Sequence, residues 1–319
     1  MMNFFLLFVG IVLLTGGGEL LIRGALGISN RLGVSALLSG LLIVGFGTSM
    51  PEMVVSVDAS LQGLPDIAIG NVVGSNIANV MLILGLCAVI TPLSVSPSAL
   101  RRDALVVILG TVLFIGLAWQ TGLSRVDAGI LLLALVGYLV WAYVSERGQA
   151  SEAGAVHKAE ASEIDAVPAS LIWSVMLTLL GLALLIAGSQ FLLKGAVGIA
   201  LQWKVSEALI GLTLVSVGTS LPELTITVIA ALRRHADVAV GNVLGSNIFN
   251  LLGILGISAL VQPLTVSQRI FQFDQWVMLG VAGLLYLFLY SSRRLSRLEG
   301  SLLLGGYVAY LWLSFVGAI

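Results

Sequence analysis

Two glutamates, Glu52 and Glu223, lie deep inside long apolar runs of this sequence, nine residues from the nearer run ends. An ionised carboxylate at mid-membrane depth costs at least ~2.5–3.5 kcal/mol unless it is paired or holds a cation. No lysine or arginine occupies the middle of any apolar run, so a bound cation is the expected compensation. Thr48 and Ser49 precede Glu52 by four and three residues, which puts both hydroxyls on its helix face. Ser75 and Asn79, four apart, stack on one face of the next run, and Thr219, Ser220, Ser246 and Asn250 repeat the arrangement around Glu223. Every converging atom type is oxygen. That donor set suits calcium, which takes about six to eight oxygen ligands, and the lack of sulfur and imidazole argues against zinc or copper.

The recurrence is systematic. An offset of 171 residues, Glu223 against Glu52, superimposes one part of the chain on the other without gaps. Gly47-Thr48-Ser49-Met50-Pro51-Glu52 matches Gly218-Thr219-Ser220-Leu221-Pro222-Glu223. The stretch Gly70-Asn71-Val72-Val73-Gly74-Ser75-Asn76-Ile77-Ala78-Asn79 matches Gly241-Asn242-Val243-Leu244-Gly245-Ser246-Asn247-Ile248-Phe249-Asn250. Between 47 and 79, 18 of 33 residues are identical to their partners. Duplication kept for packing alone would preserve small and apolar positions; it does not account for a shared glutamate deep in an apolar run. Pro51 and Pro222 each remove a helical hydrogen bond and push against the carbonyl four residues earlier, so breaks are expected near Gly47 and Gly218. Broken helix is tolerated in a membrane where it lines a polar cavity.

Composition says what must position these residues. The chain is 58% hydrophobic and 10% charged, with a mean hydropathy of +1.08, against about a quarter charged in soluble domains. Apolar runs recur at approximately 4–27, 34–61, 66–90, 100–119, 126–145, 169–193, 205–232, 237–261, 270–290 and 299–317. They are too long and continuous for barrel strands, and a hydrocarbon core of about 30 Å takes roughly 20 residues of helix. The expected fold is an all-α membrane protein of ten transmembrane helices. Residues 146–168, rich in Ser, Glu, Ala, Lys and Gly, form the one linker and divide the chain into 1–145 and 169–319. Five helices per unit is an odd number, so the second unit enters the membrane in the opposite direction, the inverted-repeat plan of secondary transporters. Of the Lys and Arg residues, eleven fall on the side of the linker and four on the other, which by the positive-inside rule makes the linker cytoplasmic and both termini external.

Other functions are excluded on chemistry. A net charge of −1 offers no basic surface for nucleic acid. The lone Cys87 sits in an apolar run, and His157 and His235 fall in polar connections, without partners at ligand spacing. Met1–Leu14 lacks the positive region of a signal peptide and reads as the start of the first helix. An intramembrane enzyme needs a nucleophile with its base, and no histidine or lysine lies near Ser49, Ser75, Ser220 or Ser246. A passive channel would conduct without a counter-ion gradient.

The doubled motif resembles the alpha-1 and alpha-2 repeats of the cation/calcium exchanger superfamily, and the prokaryotic sodium/calcium exchangers in particular. The resemblance spans nearly the whole chain, with the motifs at 45–79 and 216–250. It implies a ten-helix antiporter of the inner membrane that needs no cofactor and carries Ca²⁺ against Na⁺ at a cluster of four ion sites. Carried onto this sequence, the ligands are Thr48, Ser49, Glu52, Ser75, Asn79, Thr219, Ser220, Glu223, Ser246 and Asn250, with carbonyls of Gly45 and Ser216. Some members carry Asp where this chain has Asn250, so here the site holds two carboxylates. Two glutamates neutralise one Ca²⁺. Burial disfavours the charged form of a carboxyl group, so H⁺ could replace Na⁺. An antiporter of the same fold for Mg²⁺ or Mn²⁺ is the alternative cargo. The resemblance also implies that the first and sixth helices slide against the remaining bundle, on glycines at 16–18, 24 and 27 and at 181, 188, 195 and 198.

Four further carboxylates are weighed apart. Glu19 stands opposite Gln190 in the repeat and either lines the ion path or makes a structural contact; Asp58, Glu207 and Asp274 are expected in solvated positions near helix ends.

Overall fold

Backbone amides in hydrocarbon have no water to bond, so long apolar runs close their hydrogen bonds internally as helices. The computed structural model describes residues 2–32, 40–94, 99–119, 122–147, 170–202 and 216–316. Six stretches among them are long and apolar enough to cross a membrane: Met2–Ile28, Pro65–Ile90, Arg125–Ser145, Leu171–Leu192, Ala236–Val261 and Ile270–Ser291. The outer faces carry large apolar side chains, among them Phe4, Phe5 and Phe8 at one end, Leu133 and Val140 midway, and Ile172 and Trp173 beyond. Water does not favour such a surface, whereas lipid does. The chain is an all-α, multi-pass membrane protein.

In chain order the helices are α1 (Met2–Leu32), α2 (Phe46–Thr48), α3 (Met50–Leu61), α4 (Pro65–Ala78), α5 (Gly85–Ile90), α6 (Leu105–Ala118) and α7 (Arg125–Arg147). After the linker come α8 (Leu171–Gln202), α9 (Ser216–Thr219), α10 (Leu221–Leu232), α11 (Ala236–Ile248), α12 (Leu255–Val261), α13 (Gln275–Ser292) and α14 (Arg297–Val316). Wider π-helical turns join α4 to α5 (Asn79–Leu84) and α11 to α12 (Phe249–Ile254), and others precede α2, α6 and α13. Glu146 and Arg147 complete α7; the rest of the expected linker, with His157, lies outside the described residues, as do 33–39, 203–215 and Glu207.

α4 and α11, each bearing a copy of the Gly-Asn motif, are the deepest helices, and α3 and α10 pack beside them. Two short backbone pairings tie the parts together. Leu93–Ser94 pairs antiparallel with Arg294–Leu295, and Leu123 exchanges hydrogen bonds with Leu264 at 2.7 and 2.9 Å. Gly122, at φ +122°, lets the second pairing close, because a Cβ there would collide with the Leu264 carbonyl.

α1 and α8 run antiparallel along each other. Gly10, Gly17 and Gly24 on one and Gly181, Gly188 and Gly195 on the other recur every seven residues and meet backbone to backbone. A Cβ on Gly181 would lie 2.5 Å from the Leu21 nitrogen, and one on Gly17 would lie 2.9 Å from the Gly181 carbonyl oxygen. This revises the role expected of the glycines. Gly17, Gly24, Gly181, Gly188 and Gly195 bind α1 to α8, as small residues do between membrane helices. Gly18 faces the bundle, against Ile229 of α10, while Gly16 has nothing within 4 Å.

Gly181→Val should therefore lower stability by about 1–3 kcal/mol through overpacking, read as a drop in thermal midpoint of the detergent-solubilised protein. Gly16→Ala should stay within about 0.5 kcal/mol of wild type.

Candidate cation site

Both glutamates stand just after a break in a helix. α2 ends at Thr48, Ser49 takes a turn conformation (φ −80°, ψ 7°), and α3 restarts with Pro51 in its first turn. Ser220 does the same between α9 and α10 (φ −85°, ψ 9°), with Pro222 following. Proline lacks only an N–H that a first turn leaves unpaired anyway, so the break falls at Ser49 and Ser220 rather than at Gly47 and Gly218. Glu52 and Glu223 thus occupy first turns, where the helix dipole favours negative charge.

The breaks bring the two motifs face to face. Ser49 Oγ donates to Glu223 Oε1 at 2.9 Å, and Ser220 Oγ donates to Glu52 Oε1 at 3.0 Å. The exchange is reciprocal, each serine of one motif serving the glutamate of the other. Glu52 is 0% exposed and Glu223 1%. Thr219 also interacts with the Glu52 carboxyl, and Thr48 and Ser246 with that of Glu223. Ser75 Oγ lies 3.5 Å from Ser220 Oγ. The Gly45 carbonyl accepts from Ser246 Oγ at 3.0 Å and Thr48 Oγ1 at 3.3 Å. Of Ser216, the first residue of α9, only the backbone is described.

Four asparagines outside the expected ligand set, Asn71, Asn76, Asn242 and Asn247, hold this geometry. Asn71 Nδ2 donates to the Glu52 carbonyl (3.1 Å) and to Ser56 Oγ (2.9 Å). Asn242 Nδ2 donates to the Glu223 carbonyl (3.2 Å) and to Thr227 Oγ1 (2.8 Å). A second tier joins Asn79 Nδ2 to Asn247 Oδ1 (3.0 Å) and Asn250 Nδ2 to Asn76 Oδ1 (3.3 Å). All of these residues stand in the doubled motif at the 171 offset. Their repetition as polar residues in buried helix was the available signal.

What remains unsatisfied is informative. Seven buried side-chain oxygens among the described residues lack a hydrogen-bond partner, and four belong here: Glu52 Oε2, Glu223 Oε2, Asn79 Oδ1 and Asn250 Oδ1. Native interiors rarely leave such atoms unpaired. Four acceptors without a hydrogen-bond partner, two of them carboxylate, are oxygens of the kind a hard cation takes.

Ion pairs among the described residues lie elsewhere. Arg102 binds Asp103 at 2.6 Å, joined by Tyr138 at 2.8 Å, a fully buried group the sequence analysis did not single out. Asp274 is only 6% exposed and pairs with Arg269 (3.2 Å) and Tyr310 (3.0 Å). It is therefore buried and partnered, contrary to the solvated position expected. Asp58 is exposed and accepts from Gln62 at 2.7 Å. Glu19 makes a structural contact, bridging Arg23 on its own helix (2.7 Å) and Arg233 at the end of α10 (2.6 Å).

The model of the sodium/calcium exchanger protein family matches residues 2–144 and 173–316. This chain belongs to that family. Its members are transporters, so the chain is a cation antiporter of the exchanger type. It is 37% identical to the putative antiporter CaxA of Alkalimonas amylolytica, covering 96% of this chain and 97% of that one. It is 32% identical to the sodium/calcium exchanger MaX1 of Methanosarcina acetivorans, covering 98% of each. A solved structure of the exchanger NCX_Mj soaked with Na⁺ and Sr²⁺ superimposes with a TM-score of 0.82 at 31% identity, over 97% of both chains.

A cation that fills this exchanger's cluster should stabilise the fold. At about 100 times its dissociation constant, Ca²⁺ is expected to add ~2.7 kcal/mol, visible as a raised thermal midpoint. Glu52→Gln and Glu223→Gln should each abolish the increment; an undiminished shift in either would remove that residue from the site.

Proposed function

We propose that the protein exchanges Ca²⁺ for a monovalent counter-ion, Na⁺ or H⁺, by alternating access around the cluster of Glu52 and Glu223. The observation that carries this reading is the set of four partnerless buried oxygens, contributed equally by the two motifs. Thr48, Ser49, Ser75, Thr219, Ser220 and Ser246, with the carbonyls of Gly45 and Ser216, complete the ligand set from which calcium and its competitor draw. Two carboxylates match the charge of one Ca²⁺. Emptied, the same pair would face each other unneutralised in a low-dielectric interior, which is costly. Crossing with the site empty is thereby suppressed, and movement of one ion is tied to movement of the other.

The architecture that serves this cycle is ten transmembrane helices in two inverted five-helix repeats, 1–145 and 169–319. Two observations support it: the family's model falls on two stretches of similar length, and the serine–glutamate bonds cross reciprocally between the motifs. The linker 146–168 lies in the cytoplasm, both termini lie outside, and the membrane is the bacterial or archaeal inner membrane. α1 and α8, locked by their glycines, move as one body against the rest.

The test is uptake of radioactive calcium into vesicles under an imposed sodium gradient and, separately, a proton gradient. Wild type should accumulate Ca²⁺ under at least one, and Glu52→Gln or Glu223→Gln should reduce the rate by about 100-fold or more, as loss of a buried charged partner demands. Gradient-driven uptake that survives both substitutions sinks the assignment. Mg²⁺ or Mn²⁺ carried in place of Ca²⁺ would move the cargo to the alternative divalent class.

A further inference from the structure

A carboxylate presents oxygen to a cation whichever way it turns; a carboxamide does not. Its two ends are an acceptor oxygen and a donor NH₂, and the wrong end would aim N–H bonds at a positive ion. Asn79 and Asn250 therefore contribute to a cation site only if something sets their orientation. The rest of this argument rests on the reading of the cluster as that site.

The orientation can be traced from an anchor. Asn247 Nδ2 donates to the backbone carbonyl of Asn76 at 3.3 Å, a group that only accepts, so the amide end of Asn247 is fixed. Its Oδ1 is then turned to Asn79 and takes the Asn79 NH₂ at 3.0 Å. Asn79 Oδ1 is left buried and partnerless. In the other motif, Asn76 Nδ2 points to Met278 Sδ at 3.8 Å, and its Oδ1 takes the Asn250 NH₂ at 3.3 Å. Asn250 Oδ1 is left in the same condition. Both lock residues are buried, with Asn76 2% and Asn247 1% exposed. The two locks differ in strength, since a backbone carbonyl is a better acceptor than a thioether sulfur.

We propose that Asn247 and Asn76 are positioning residues that hold the amides of Asn79 and Asn250 oxygen-first toward the transported cation. They touch no ion themselves. They turn two ambiguous side chains into two defined ligands, as outer partners do for metal-binding groups in general.

A double substitution separates orientation from mere support. In purified protein, Asn247→Ala should weaken Ca²⁺ binding roughly 10- to 100-fold, the usual cost of losing such a partner, and raise the KM for vesicle uptake in parallel. Asn79→Asp puts a two-oxygen group at the same place, which needs no orienting. In that background Asn247→Ala should change binding by less than about threefold, the non-additivity expected of residues acting through one contact. An equal loss in both backgrounds, or no loss in the native one, overturns the proposal. Should Asn247→Ala fail to fold, Asn76→Ala with and without Asn250→Asp reads the same quantity in the other motif. Glu52→Gln serves as the control for the site itself. Calcium binding that ignores Glu52 would refute the site, whereas binding that needs Glu52 but ignores the asparagine pairs would refute only the orienting role.

Discussion

Charge buried without an opposite charge is the constraint around which this molecule is organised. Glu52 and Glu223 are enclosed by protein that is itself enclosed by apolar surface, and the ion pairs among the described residues stop short of them. Elsewhere the fold shows how it treats an acid it wants neutralised. Asp103 is given Arg102 and Tyr138, and Asp274 is given Arg269 and Tyr310. Around the two glutamates it supplies hydroxyls, amides and helix N-termini, which ease an anion without cancelling its charge. The remaining deficit is the one that the proposed mobile cation would fill and then leave.

Neither motif is complete alone. The serine of each bonds the glutamate of the other, and the asparagine tier crosses the same divide. Phe46 stacks on Phe249 across the same divide, with 4.5 Å between ring centroids. A change in the relation between the two motifs therefore alters all of these contacts at once. Such coupling of contacts to geometry is what the proposed exchange between two access states requires.

The repetition is not perfect, and the departures are physical too. Glu19 reaches Arg233, whereas the residues standing at the corresponding positions are Gln190 and Gln62; Gln62 bonds Asp58 and Gln190 is exposed. One end of the bundle is thus tied to α1 by charge, while the matching position on α8 carries a neutral side chain. The anchors of the asparagine tier differ likewise, a carbonyl against a sulfur. Two motifs of nearly one sequence consequently do not have identical surroundings.

Much of this was written in the order of residues. Spacing and hydropathy alone showed the helical character of the chain, the doubled motif and the two glutamates within it, because each is a local or periodic property of the chain. Proline placement announced that the motif helices break; only the folded backbone showed that the break settles at Ser49 and Ser220, where the following turn needs no proline N–H. The glycines at seven-residue intervals were visible, but which helix they would meet depends on packing partners far away in sequence. Asn71, Asn76, Asn242 and Asn247 were equally visible and went unread, since a carboxamide's role is set by which end its neighbours occupy. Tertiary structure decided those orientations, and with them which buried oxygens were left without a partner. A sequence states which donors and acceptors exist, whereas pairing them requires the distances between helices that only the assembled bundle provides.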